Sequence, residues 1–174
     1  MSEKNLTVLQ RQKIDKPTPE DAFSEFLFDE TKSNALNFIA WLRENKLTPR
    51  WDGIYRWKVS FKSKYICYIN LSWPPSNGVW EVKPNRLFLG EYGKYITDDS
   101  LKKFVLDIVQ LPGCNMDKRM SCGRKRNVDF LGKMHNEICG CWPFRAKNPD
   151  EEALENLKKL VLISKDIIID LKEA

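Results

Sequence analysis

The residues best suited to chemistry in this chain are its thiols. Four of the five cysteines, Cys114, Cys122, Cys139 and Cys141, share one segment with the only histidine, His135. Zinc takes about four soft or borderline ligands in a tetrahedron, and thiolates with imidazole suit it. Cys139 and Cys141 stand one residue apart, which on a strand puts both sulfurs on one face. Cys114 and Cys122 would join them from a loop, with Gly113, Gly123 and Gly140 letting the backbone bend around an ion. The spacing, C-x7-C-x16-C-x-C, differs from the paired C-x2-C knuckle of zinc ribbons. The same cysteines can instead be unligated, packing as small apolar side chains. A third reading is redox or nucleophilic. Cys122 is flanked by Lys118 and Arg119 on one side and Arg124, Lys125 and Arg126 on the other, and nearby cations favour a thiolate. His135 would then be the base available to Cys122 or Cys139. Cys67 lies among apolar residues of a strand pattern and reads as core.

Two further groups of residues bear on binding. Lys118, Arg119, Arg124, Lys125 and Arg126 concentrate positive charge where an anion, nucleic acid included, could dock through its phosphates. Tyr55, Trp57, Trp73 and Trp80 belong to a series of aromatic residues on and beside strand patterns. A curved sheet backed by a helix leaves room for an aromatic-lined pocket, so these four are the candidate ligand-binding residues. The competing readings are a solvated loop for the charges and core packing for the rings.

Several chemistries lack their motif. There is no glycine-rich phosphate loop of the P-loop or dinucleotide type, no nucleophile elbow and no His-Glu-x-x-His pair. The 174 residues are 42% hydrophobic and 30% charged, with 29 Lys and Arg against 24 Asp and Glu, a formal net charge of +5. That composition suits a globular domain with a real core, and the charge permits an anionic partner without demanding one. No apolar run approaches the roughly 18 residues a membrane span needs. The first residues lack a secretory apolar region, so the expectation is a cytoplasmic protein, with reduced thiols and no membrane partner.

The elements that must position these residues are legible from periodicity and caps. The chain is organised around residues 55–72. Trp57, Val59 and Phe61 alternate with Arg56, Lys58, Ser60 and Lys62, the period of a strand with one apolar face. A polar turn at Ser63-Lys64 leads to a second strand, apolar on both faces, which places it centrally in a sheet. Before this hairpin, residues 1–16 read as a disordered tail. Thr18-Pro19-Glu20-Asp21 opens a helix running to about Asp29. Ser33 or Asn34 caps another, with Ala35, Phe38, Ile39 and Leu42 as its buried stripe. Trp51-Asp52-Gly53 reads as a turn. After the hairpin, Val79 to Lys83 and Arg86 to Leu89 are strand candidates. Thr97 caps a helix striped by Leu101, Phe104, Val105 and Ile108. Val128, Phe130 and Ile138 to Phe144 suggest further strands. Asn148-Pro149-Asp150-Glu151 opens a long closing helix. The expected fold is α+β: an antiparallel, hairpin-rich sheet flanked by helices, with residues 17–174 as a single domain.

The string from Trp57 to Ile69, with Asn148-Pro149-Asp150-Glu151-Glu152 and Leu157-Lys158-Lys159-Leu160, resembles small uncharacterised proteins of Firmicute bacteria, over roughly residues 34–172. The succession of helix, aromatic hairpin and helix also resembles bacterial YdhG-like domains. The resemblance implies a bacterial, cytosolic origin and a compact α+β fold; it brings no activity and no catalytic residue. The functional expectation is a module binding a small ligand or protein partner on its aromatic sheet, with a candidate zinc site in the cysteine segment. The alternatives are anion or nucleic-acid binding through the basic loop, and a thiol enzyme using Cys122.

Overall fold

The computed structural model describes residues 6–85, 89–109, 125–139 and 144–173. The order is α1 (Val8–Asp15), α2 (Pro19–Phe26), α3 (Asp29–Glu44), β1 (Arg50–Gly53), β2 (Arg56–Phe61), β3 (Lys64–Leu71), a 3-10 turn (Pro75–Asn77) and β4 (Trp80–Pro84). There follow α4 (Leu89–Tyr95), α5 (Asp99–Ile108), β5 (Lys125–Phe130), β6 (Lys133–Cys139), β7 (Ala146–Lys147) and α6 (Glu151–Glu173). This is an α+β fold: a five-stranded antiparallel sheet in the order β1-β2-β3-β4-β7, a separate two-stranded β5-β6 sheet, and a long C-terminal helix. No helix among the described residues is long and apolar enough to cross a membrane. The contacts divide the chain into two compact units: Met1–Val82 with Lys147–Asp150, and Lys83–Ala146 with Glu151–Ala174. The division runs through β4 and β7, so no linker marks it.

In the first unit the hairpin forms as its alternation requires, with the turn one residue earlier than expected. Lys62 and Ser63 both adopt positive φ, 44° and 67°, the geometry that matches the twist of paired strands. Val59 pairs with Cys67 and Ser60 with Tyr65, so Ile66 bulges out of register. The bulge explains why the consecutive residues Ile66 and Cys67 are both buried. β3 is the middle strand, as its two apolar faces predict. α3 begins at Asp29, several residues before the expected cap. Asp29 and Glu30 occupy its first turn, where acids suit the positive helix end. Ser33 bonds back to the Asp29 carbonyl at 3.3 Å. The stripe Ala35, Phe38, Ile39 and Leu42 is buried as read.

Residues 8–15, expected within a disordered tail, form α1. Thr7 and Gln10 make a reciprocal capping box at its start. α2 opens as predicted, with the Thr18 hydroxyl accepting from Asp21 N at 3.2 Å and Pro19 in the first turn. Arg43 on α3 grips Glu20 on α2 with two nitrogens, at 2.5 and 3.0 Å.

The second unit holds α4, α5, the β5-β6 hairpin and α6. Leu131 and Gly132 turn the hairpin with positive φ of 53° and 74°. Leu89 starts a helix rather than ending a strand, and residues 86–88 lie outside the described set. Tyr92 and Phe130 each pack edge-on against Phe144 at 5.7 and 5.8 Å. The Tyr92 and Ser164 hydroxyls meet at 2.9 Å, and Ser164 also donates to the Leu160 carbonyl at 2.8 Å. That bond lets a serine sit on the buried stripe of α6. Asp98, rather than Thr97, caps α5 through Ser100 N and Leu101 N, and its carboxylate also takes Lys159 of α6 at 3.1 Å. The Ser100 hydroxyl, Lys159 and the two amides hold that carboxyl well below the usual carboxylate range.

Candidate ligand-binding site

A cleft of about 260 Å³ opens in the first unit where α1, α2 and the β1-β2 turn converge. α1 supplies Val8, Arg11, Gln12 and Asp15. Their spacing is i, i+3, i+4 and i+7, one face of a helix. α2 supplies Asp21, Ala22 and Glu25; Pro17 lies between the helices, and Tyr55 comes from the turn. Three carboxylates thus face one guanidinium, in a chain whose overall charge is positive. Asp21 is engaged by the Thr18 hydroxyl at 2.6 Å. Asp15 and Glu25 enter no ion pair among the described residues.

Gln12 joins α1 to the sheet. It is 7% exposed, and its Oε1 accepts from Tyr55 N at 2.9 Å, with Trp51 Nε1 at 3.5 Å. Tyr55 has φ of 44°, a left-handed conformation that costs a non-glycine residue about 1–2 kcal/mol. Both its backbone groups are held there, N by Gln12 and O by Leu71 N at 2.9 Å. Loss of water on burial raises the Tyr55 phenol above its ordinary value, and the Glu25 charge adds to the rise; the Gln12 side chain and Arg11 oppose it. The hydroxyl therefore stays protonated at neutral pH and can donate to a ligand.

The four aromatic residues expected to bind ligand separate into two pairs. Tyr55 lines the cleft, and its ring stacks on Trp73 at 6.2 Å. Trp57 and Trp80 are fully buried. Each packs on Phe23 at 5.6 Å, and Phe38 lies 6.2 Å from Trp80. The inner face of the sheet is thus closed by phenylalanines of α2 and α3, and it leaves no aromatic pocket at those two rings. Trp57 Nε1 donates to the Pro17 carbonyl at 2.8 Å; Trp80 Nε1 is buried without a partner.

Cys114, Cys122 and Cys141, and Lys118, Arg119 and Arg124, lie outside the described residues. Cys139 ends β6, opposite Lys125 at the start of β5; Arg126 pairs with Ile138. Among the described residues no three His, Cys, Asp or Glu side chains are placed to share a metal ion. His135 is buried on β6, 6.0 Å from the Phe130 ring, with Nε2 unpartnered. Cys67 is core, its thiol pushed up to about 12 by burial.

The cleft itself was not anticipated from sequence. Its signal was the 8, 11, 12, 15 spacing, set in a segment too polar to read as a packed helix. The helix packs by its capping box and one buried amide, not by an apolar stripe. Comparison of the chain with family models, curated proteins and solved structures finds no match.

Proposed function

We propose that this protein is a binding module that receives a cationic group, an amine or guanidinium, in the cleft formed by α1, α2 and Tyr55. The observation that carries the reading is the charge of the lining: Asp15, Asp21 and Glu25 against Arg11 alone. Opposite charge at close range, with a phenol ring beside it, attracts a cation by Coulomb and cation–π forces together. The test is calorimetric titration with tri-arginine at low salt, on the wild type and on a D15N/E25Q variant; Asp21 is spared because it belongs to the α2 cap. Saturable binding is expected, weakened by about tenfold in the variant and unmatched by triglutamate. Equal affinity of wild type and variant would sink the reading.

A second reading, structural zinc in the cysteine segment, is favoured by one register. Cys139 pairs with Lys125 at the open end of the β5-β6 hairpin. Cys122 stands three positions before Lys125, and Cys141 two positions after Cys139. Elemental mass spectrometry of protein purified without chelator is expected to give about one zinc per chain, released on denaturation. Metal-free protein of native stability would remove this reading.

A further inference from the structure

Tyr55 also belongs to a surface that a cleft for a lone cation leaves unused. Its ring lies nearly parallel to Trp73, at 27° and 6.2 Å, and takes the Phe26 ring edge-on at 5.5 Å. Yet Trp73 is 63% exposed, and Ile54, next to Tyr55 in the chain, is 41% exposed. Trp73 is not on a loose loop. The 3-10 turn that follows it closes through Asn77 N to the Pro74 carbonyl at 3.1 Å and Gly78 N to Pro75 at 3.0 Å. An indole stacked on one side and largely open to water is the kind of anchor that protein interfaces use.

We infer that the cleft and the Phe26–Tyr55–Trp73 ladder together dock a basic segment of another protein. An Arg or Lys side chain enters the cleft, and a nearby apolar side chain of the same segment lies on Trp73. This rests on the cationic reading of the cleft and names its ligand. Tyr55 makes the two features continuous, since one ring lines the cleft and stacks on the indole. A small amine filling the cleft would gain nothing from Trp73. An extended chain advances about 3.3 Å per residue, so two side chains a few residues apart can occupy cleft and indole together. Charge decides the partner class. Carboxylates in the cleft attract a basic peptide, and they would repel the phosphates of a nucleic acid.

The experiment uses the full chain, labelled with nitrogen-15 and titrated in amide spectra. The probes are tri-arginine and a synthetic hexapeptide alternating arginine and leucine. The hexapeptide is expected to bind about tenfold more tightly than tri-arginine, with shifts at both the cleft and residues 73–78. W73A is expected to bring the hexapeptide to the affinity of tri-arginine, and W73F, which keeps a ring, to retain part of the gain. Equal affinities in the wild type, or a full gain in W73A, overturn the docking surface and leave the cleft reading standing. Failure of both probes to bind removes the cleft reading and the inference with it.

Discussion

Tyr55 and Cys67 sit near one another in sequence and carry opposite chemical prospects. Tyr55 is strained, half-buried and edged by charge. Cys67 is sealed between neighbours in the middle strand, where an anion would be desolvated without compensation. Its thiol, pushed up to about 12, has almost no thiolate at neutral pH. The expectation is that an alkylating reagent at pH 8 leaves Cys67 unmodified in the folded chain and modifies it in urea. Peptide mapping by mass spectrometry reads both, and fast native labelling of Cys67 would contradict its placement. That residue was legible in the sequence because a cysteine amid Ile66, Tyr68 and Ile69 has no source of charge. Trp57 and Trp80 show what sequence leaves open: alternation says which face a ring takes, not whether Phe23 of α2 or Phe38 of α3 will cover it.

At the scale of elements, α2 and α3 are joined by apolar packing and by the Arg43–Glu20 pair. Partial burial would raise the Glu20 carboxyl; the hydrogen bond and charge of Arg43 outweigh this and lower it below its usual 4.5. A carboxyl lowered by folding stabilises the fold above its unfolded value, and that contribution is lost as pH falls through the folded value. Both side chains are more than a third exposed, at 41% and 35%, so the pair is worth about 0.5–1 kcal/mol at pH 7. Urea denaturation of R43M beside the wild type is expected to show that difference at pH 7. It should shrink toward zero well below pH 4.5, and a constant gap would assign the effect of Arg43 to packing alone. Helix interiors were the most legible elements, since stripes such as 35, 38, 39 and 42 admit one answer. Helix starts were less so. Ser33, Asn34 and Asn148 all have the chemistry of a cap, and Ser33 and Asn148 found other carbonyls and amides to bond.

The whole molecule turns on that last case. Asn148 was expected to open α6. Instead it has φ of 38°, accepts from Trp80 N at 2.9 Å through its side chain and donates its own N–H to the Trp80 carbonyl at 2.9 Å. Asparagine tolerates the left-handed backbone better than most residues. A segment of four residues, Lys147–Asp150, therefore completes the first unit from far along the chain. Asn148→Ala is expected to cost about 1–2 kcal/mol through the lost bond and the backbone conformation together, read as a lower urea midpoint by circular dichroism. An unchanged midpoint would mean that the return segment contributes nothing to stability. No composition shift or linker in the sequence announces such a division.

The uneven shielding of the tryptophans has an optical consequence. Trp57 and Trp80 are sealed in the core, whereas Trp73 meets water over most of its surface. A diffusing quencher such as acrylamide should silence Trp73 well before those two. Anything that settles on the indole should protect that fraction of the emission and move it to shorter wavelength. The molecule thus carries, in an unmodified side chain, its own gauge of whether that face is covered.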